Sequence, residues 1–178
     1  MKMIPFAFKA MNFKFIQSIL LVTSICVGVF LVNPTATLAS NSVQIASIFS
    51  FSGEQPKNLG VKNGQLAKCP QTPNCVSSQS KDVTHKVDPL TYDSSRKEAL
   101  NRLKTILKEI NNAEIIEVKP QYLYSQFTSR IMGFVDDVEF YFPLQEKLIH
   151  VRSASRVGQS DLGVNRRRIE RIRQQFKT

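Results

Sequence analysis

The chain has no tryptophan and only two histidines in 178 residues. With so few imidazoles, a histidine-rich zinc shell is hard to complete. The phosphate loop G-x-x-x-x-G-K-[ST] is missing, which excludes that class of nucleotide site. So is the G-x-S-x-G elbow of α/β-hydrolases. There is no internal repeat, no low-complexity tract and no sequence pairing of a nucleophile with a base. Neither catalytic residue, metal nor cofactor is expected. Acidic residues are absent from positions 1 to 39, where Lys2, Lys9 and Lys14 are the only charges.

What stands in that N-terminal stretch decides the compartment. Phe15 to Val32 carries no charge, Asn33-Pro34 breaks the run, and Thr35-Ala36-Thr37-Leu38-Ala39 supplies small residues. A basic start, an apolar run and small residues describe a secretory signal peptide, with cleavage expected after Ala39. The run is about 18 residues long, inside the roughly 17–25 of a spanning helix, so an uncleaved membrane anchor is the alternative. Cys26 lacks the residues of a lipoprotein signal before it. The expected location is therefore outside the cytoplasm, in a periplasm or a thylakoid lumen. Removal of residues 1–39 takes three lysines and no acid, so the net charge falls from +10 to +7, with 21 basic against 14 acidic residues.

Cys69 and Cys75 then remain as an even pair in an oxidising compartment. Pro70, Pro73 and Asn74 favour a turned loop between them. A disulfide is the expectation; a redox pair, or half of a metal site with His85, are the alternatives.

Residues 40–65 are rich in Ser, Asn, Gln and Gly and read as a linker, with Leu59 and Val61 able to touch the domain. Residues 66–178 read as one α+β domain. Ser94-Ser95 offers a helix cap, and Ala99, Leu103, Ile106, Leu107 and Ile110 share one helical face. About four antiparallel strands follow, over Glu114–Lys119, Gln121–Thr128, Phe134–Phe142 and from Lys147. A turn at Pro143-Leu144-Gln145-Glu146 would pair Phe142 with Lys147, Phe140 with Ile149 and Val138 with Val151. The same register sets Asp137 across from Arg152 and Glu139 across from His150, acid against base. Asn165 is the expected cap of a second helix, Arg166–Phe176, buried through Ile169, Ile172 and Phe176. The two helices pack on the sheet in helix–strands–helix order.

Three stretches of this chain resemble the domain-of-unknown-function family 1499. They are Cys69-Pro70-x-x-Pro73-Asn74-Cys75-Val76-Ser77-Ser78, Gly133-Phe134-Val135-Asp136-Asp137-Val138-Glu139-Phe140, and Arg152-Ser153-x-Ser155-Arg156-x-Gly158-x-Ser160-Asp161-x-Gly163-x-Asn165. The resemblance spans Leu66 to Phe176. It implies the domain's boundaries and a bacterial, cyanobacterial or plastid setting, and supplies no mechanism.

Two groups of residues could carry chemistry. Asp136, Asp137 and Glu139 form an acidic cluster that reads as an ion network, a ligand site or a catalytic pair. Arg152, Ser153, Ser155, Arg156, Ser160 and Asn165, with nearby glycine amides, could cradle an anion or clasp the fold to itself. The C-terminal segment from Arg156 carries seven basic residues against Asp161 and Glu170. For an exported chain such a surface points to anionic lipid or an acidic protein partner rather than nucleic acid. The leading function is a non-enzymatic exported domain binding an anionic ligand, lipid surface or protein. An assembly factor of a membrane complex is the alternative, and a hydrolase or transferase using Asp137, Glu139 and His150 ranks last.

Overall fold

In the computed structural model, which describes residues 52–177, the first helix is fixed by its cap. Ser95 Oγ accepts from the Glu98 N–H, and the Glu98 carboxylate accepts from the Ser95 N–H, a reciprocal capping box. Helix α1, Arg96–Glu109, then buries Ala99, Leu103, Ile106 and Leu107, the face expected from their spacing. Strands β1 (Cys75–Ser77) and β2 (Leu90–Thr91) precede it. Strands β3 (Ala113–Lys119), β4 (Tyr122–Thr128), β5 (Val135–Tyr141) and β6 (Leu148–Ser155) follow, then helix α2 (Val164–Lys177). The expected leader or anchor and Cys26 lie outside the described residues, as does the linker up to Phe51. Among the described residues no helix is long and apolar enough to cross a membrane.

The fold is α+β, with one antiparallel sheet ordered β1-β6-β5-β4-β3 and β2 also paired to β6. The sheet has six strands rather than four. β1 and β2 are three and two residues long, too short for an alternation of period two to register. Both helices cover one sheet face, and the main core joins Leu103, Leu107, Leu123, Val138, Phe140, Val151, Ile169 and Ile172. Cys69 and Cys75 are joined by a disulfide, which anchors the loop entering β1.

The β5–β6 register differs by two residues from the one expected. Phe140 faces Val151, Glu139 faces Arg152, and Asp137 faces Ala154. The reason lies outside the hairpin. Phe142 N–H is taken by Gln121 O, while Lys147 O accepts from Tyr92 N–H and Lys147 Nζ donates to Ser94 O. Phe142 and Lys147 are thus drawn to other partners, and the tip widens. A slip of two keeps every side chain on its face, so apolar still meets apolar.

The start of α2 also differs. Asp161, not Asn165, holds the helix entrance: its carboxylate accepts from the N–H groups of Gly163 and Asn165. Asn165 lies inside the helix and is fully buried.

Residues 53–66, most of them expected as linker, lie across the sheet face that the helices leave open. Leu59, Val61 and Leu66 pack with Tyr122, Tyr124 and Tyr141 there. Gly60, at φ +100°, donates its N–H to Glu139 Oε1 at 2.7 Å. At Gly53 a Cβ would lie 2.8 Å from Val157 Cγ1 and 2.9 Å from Arg156 Cβ, so a side chain would lift the strap.

Phe140 is completely buried at the sheet centre. Phe140→Ala is expected to cost about 3–5 kcal/mol in chemical denaturation.

Candidate functional site

Strand β5 distributes three carboxylates to two faces of the sheet, and all are buried: Asp136 is 7% exposed, Asp137 1% and Glu139 0%. A buried carboxylate is costly unless a cation meets it. Each of the three meets an arginine.

On the helix face Asp136 meets Arg168 of α2. Arg168 also donates to Ser153 Oγ and Asn165 Oδ1 and lies 4.6 Å from the centre of the Phe127 ring. Ser153 Oγ donates to Asn165 Oδ1. Asn165 Nδ2 donates to Asn74 O and Ser155 Oγ, 3.0 Å each. The three stretches singled out in the sequence therefore meet here, in Asn74, Asp136 and the Ser153–Ser155–Asn165 group.

On the opposite face, under the strap, Arg152 Nη1 donates to Glu139 at 3.2 Å. Tyr122 Oη and Gly60 N–H also donate to Glu139. Arg156 grips Asp137 with Nε and Nη2, and Tyr124 Oη donates to the same carboxylate at 2.5 Å. Burial pushes the Tyr124 phenol up to about 12, and its bond to Asp137 adds to this. Burial and the Glu139 charge raise Tyr122 as well. The Arg156 guanidinium is held charged by Asp137. In this layer Arg152 Nε finds no hydrogen-bond partner among the described groups.

The six residues expected to cradle an anion are thus divided by the sheet. Ser153 and Ser155 meet Asn165 of α2 on one face, Arg152 and Arg156 lie under the strap on the other, and Ser160 sits in an exposed loop where its Oγ accepts from Leu162 N–H. Five of the six bind buried protein groups in a clasp. The acidic cluster is likewise taken up: Asp137 pairs with Arg156, not with the expected Arg152. His150 stacks on Tyr141 and sits 3.1 Å from Ser78 Oγ, and burial lowers its basicity. His85 contacts Cys75 O and Asp82, with no place for a ligand shared with the bonded cysteines.

The arginines of α2 meet different fates. Arg166 donates to Thr84 O and Lys86 O, and Arg173 to Asp88 O, Pro89 O and Glu170. These two bind the fold instead of facing outward. Arg167 donates only to Leu162 O and is exposed, and Arg171 is exposed with no hydrogen bond or ion pair among the described residues. Both line a groove of about 240 Å³ between the end of α1, β4 and α2, floored by Ile110, Phe127, Val164 and Ile172. The sequence shows the arginines. It cannot show that Ile110 and Phe127, from other elements, complete an apolar floor beneath them.

Glu139→Ala would strand Arg152 in the buried layer. The expected loss is about 3–5 kcal/mol in urea unfolding. Tyr124→Phe removes a hydrogen bond to a charged acceptor, with an expected loss of roughly 1.5–3 kcal/mol. The fold favours the neutral phenol, so its contribution is intact below the ordinary value of 10.0 and vanishes as pH rises through about 12. The decline of stability between these limits, followed by circular dichroism, should be shallower in Tyr124→Phe.

No curated protein and no solved structure matches the chain significantly. A family model does, over residues 65–176, and it covers both the clasp on the helix face and the ion pairs under the strap. By that match the chain belongs to the family described as protein of unknown function DUF1499.

Proposed function

We propose that this chain is an exported, non-catalytic domain that holds an anionic group in the groove between α1, β4 and α2. One observation carries the reading. Among the arginines of α2, most of which are spent on the fold, Arg171 makes no hydrogen bond or ion pair with any described residue, and it stands beside Arg167 over an apolar floor. An apolar floor with a cationic rim suits an anion that carries a hydrocarbon or aromatic part. Arg168 helps shape the groove but its charge is already engaged by Asp136.

The chemistry at the two ion-pair layers supports a binding role over a catalytic one. Asp137 and Glu139 each accept from an arginine and a tyrosine, so their oxygens are already occupied by protein donors.

Phenyl phosphate is a suitable probe, because it combines a dianion with one aromatic ring. Its addition to the full chain should raise the thermal midpoint beyond the effect of sodium sulfate at matched ionic strength. At one hundred times the dissociation constant the gain is about 2.7 kcal/mol. Arg167→Gln with Arg171→Gln should abolish the gain while leaving the unliganded midpoint nearly unchanged, since both side chains are exposed. An equal gain in that double variant would place the anion elsewhere and overturn the reading.

A further inference from the structure

Around the groove, apolar residues are exposed in a pattern the fold does not need. Nine large hydrophobic side chains are exposed among the described residues. Among them Ile131 (94%) and Met132 belong to the β4–β5 loop, and Leu162 (84%) and Val164 lead into α2. The β4–β5 loop starts at Ser129, two positions after Phe127 of the groove floor, and Asn112 Nδ2 ties Thr128 O to the end of α1. Val164 is itself part of the groove wall. Arg130, Arg167 and Arg171, all exposed, are interspersed with these side chains.

A third observation concerns where the chain enters. Gly53 packs against Arg156 and Val157, and Arg156 N–H donates to Val135 O, next in sequence to Phe134. The strap therefore begins at the same end of the sheet as the exposed apolar loop.

We infer that this end of the domain is a bilayer-docking edge for anionic membranes. The inference rests on the anion-binding reading of the groove and names its partner. Ile131, Met132 and Leu162 enter the interfacial zone, Arg130, Arg167 and Arg171 meet lipid phosphates, and the groove admits one anionic headgroup over its apolar floor. A protein partner or a second copy would also cover apolar side chains. The interspersed arginines, none of them in an ion pair among the described residues, favour the lipid surface.

The absence of tryptophan gives a clean reporter. Ile131→Trp and, as a control at the opposite end of the sheet, exposed Leu144→Trp would be placed singly in the full chain. Each is mixed with vesicles of phosphatidylcholine alone or with phosphatidylglycerol added, with and without brominated phosphatidylcholine. For Ile131→Trp, the emission should shift to the blue and be quenched in anionic vesicles. Both effects should weaken in neutral vesicles, at high salt, and when Arg167→Gln and Arg171→Gln are added. For Leu144→Trp, emission should stay unquenched throughout. Equal quenching of both reporters, or none for Ile131→Trp, overturns the docking edge. So does a blue shift of Ile131→Trp that grows with protein concentration without vesicles, which would assign the face to a second copy. If phenyl phosphate still stabilises the chain when vesicle quenching is absent, the groove serves a soluble anion and only the docking edge falls. If both responses are absent, both readings fall together.

Discussion

Three carboxylates on one short strand are buried, and the rest of the fold is arranged to bring a guanidinium to each. Asp136, Asp137 and Glu139 draw Arg168, Arg156 and Arg152 respectively. These arginines come from α2, from the residue after β6, and from β6 itself. Desolvation would otherwise cost several kcal/mol per ion, so β5 cannot be stable in this form before the C-terminal segments arrive. The helix face and the strap face are thereby coupled through a single strand.

This division explains why some of the protein was legible in its sequence and some was not. Helix α1 was readable because Ser95, Glu98 and the Ala99–Leu103–Ile106–Leu107 face are local signals, all within one element. The face assignment of β5 and β6 was readable for the same reason. Their register was not: Phe140 can oppose Ile149 or Val151 with equal apolar gain, and Glu139 can oppose His150 or Arg152 with equal charge logic. The decision falls to Gln121, Tyr92 and Ser94, which compete for Phe142 and Lys147 from elsewhere in the chain. β1 and β2 escaped because a pair of residues carries no periodicity. Asn165 resembled a cap by type and position, but a buried amide that can both donate and accept is worth more at the junction of Asn74, Ser153 and Ser155. The strap was hidden by its own composition: Leu59, Val61 and Leu66 are too few to mark an element, and their partners are tyrosines more than fifty positions ahead in sequence.

The arginines of the last segment show how little a charge count says about a surface. From Arg156 onward the basic residues look alike in sequence. In the fold Arg156 and Arg168 neutralise buried acids, Arg166 and Arg173 satisfy carbonyl groups left open by the irregular stretch 84–89, and Arg167 and Arg171 face solvent. A guanidinium suits all of these tasks, since its fork of donors can bind a carboxylate on two edges or bridge neighbouring carbonyls.

The strap imposes an order on folding. Gly60 leaves the ribosome 79 positions ahead of Glu139, the residue whose carboxylate it must cap. Until β4, β5 and β6 have paired, there is no surface for Leu59, Val61 or Leu66 to lie on. The first described part of the chain to be made is therefore the last that can settle, and a nascent chain carries it unpaired through most of its synthesis. Contacts of such sequence separation close slowly. During that wait the half-made charged face of the sheet is open to water, which lets Arg152 and Arg156 find their acids while still hydrated, before the lid of tyrosines and strap excludes solvent.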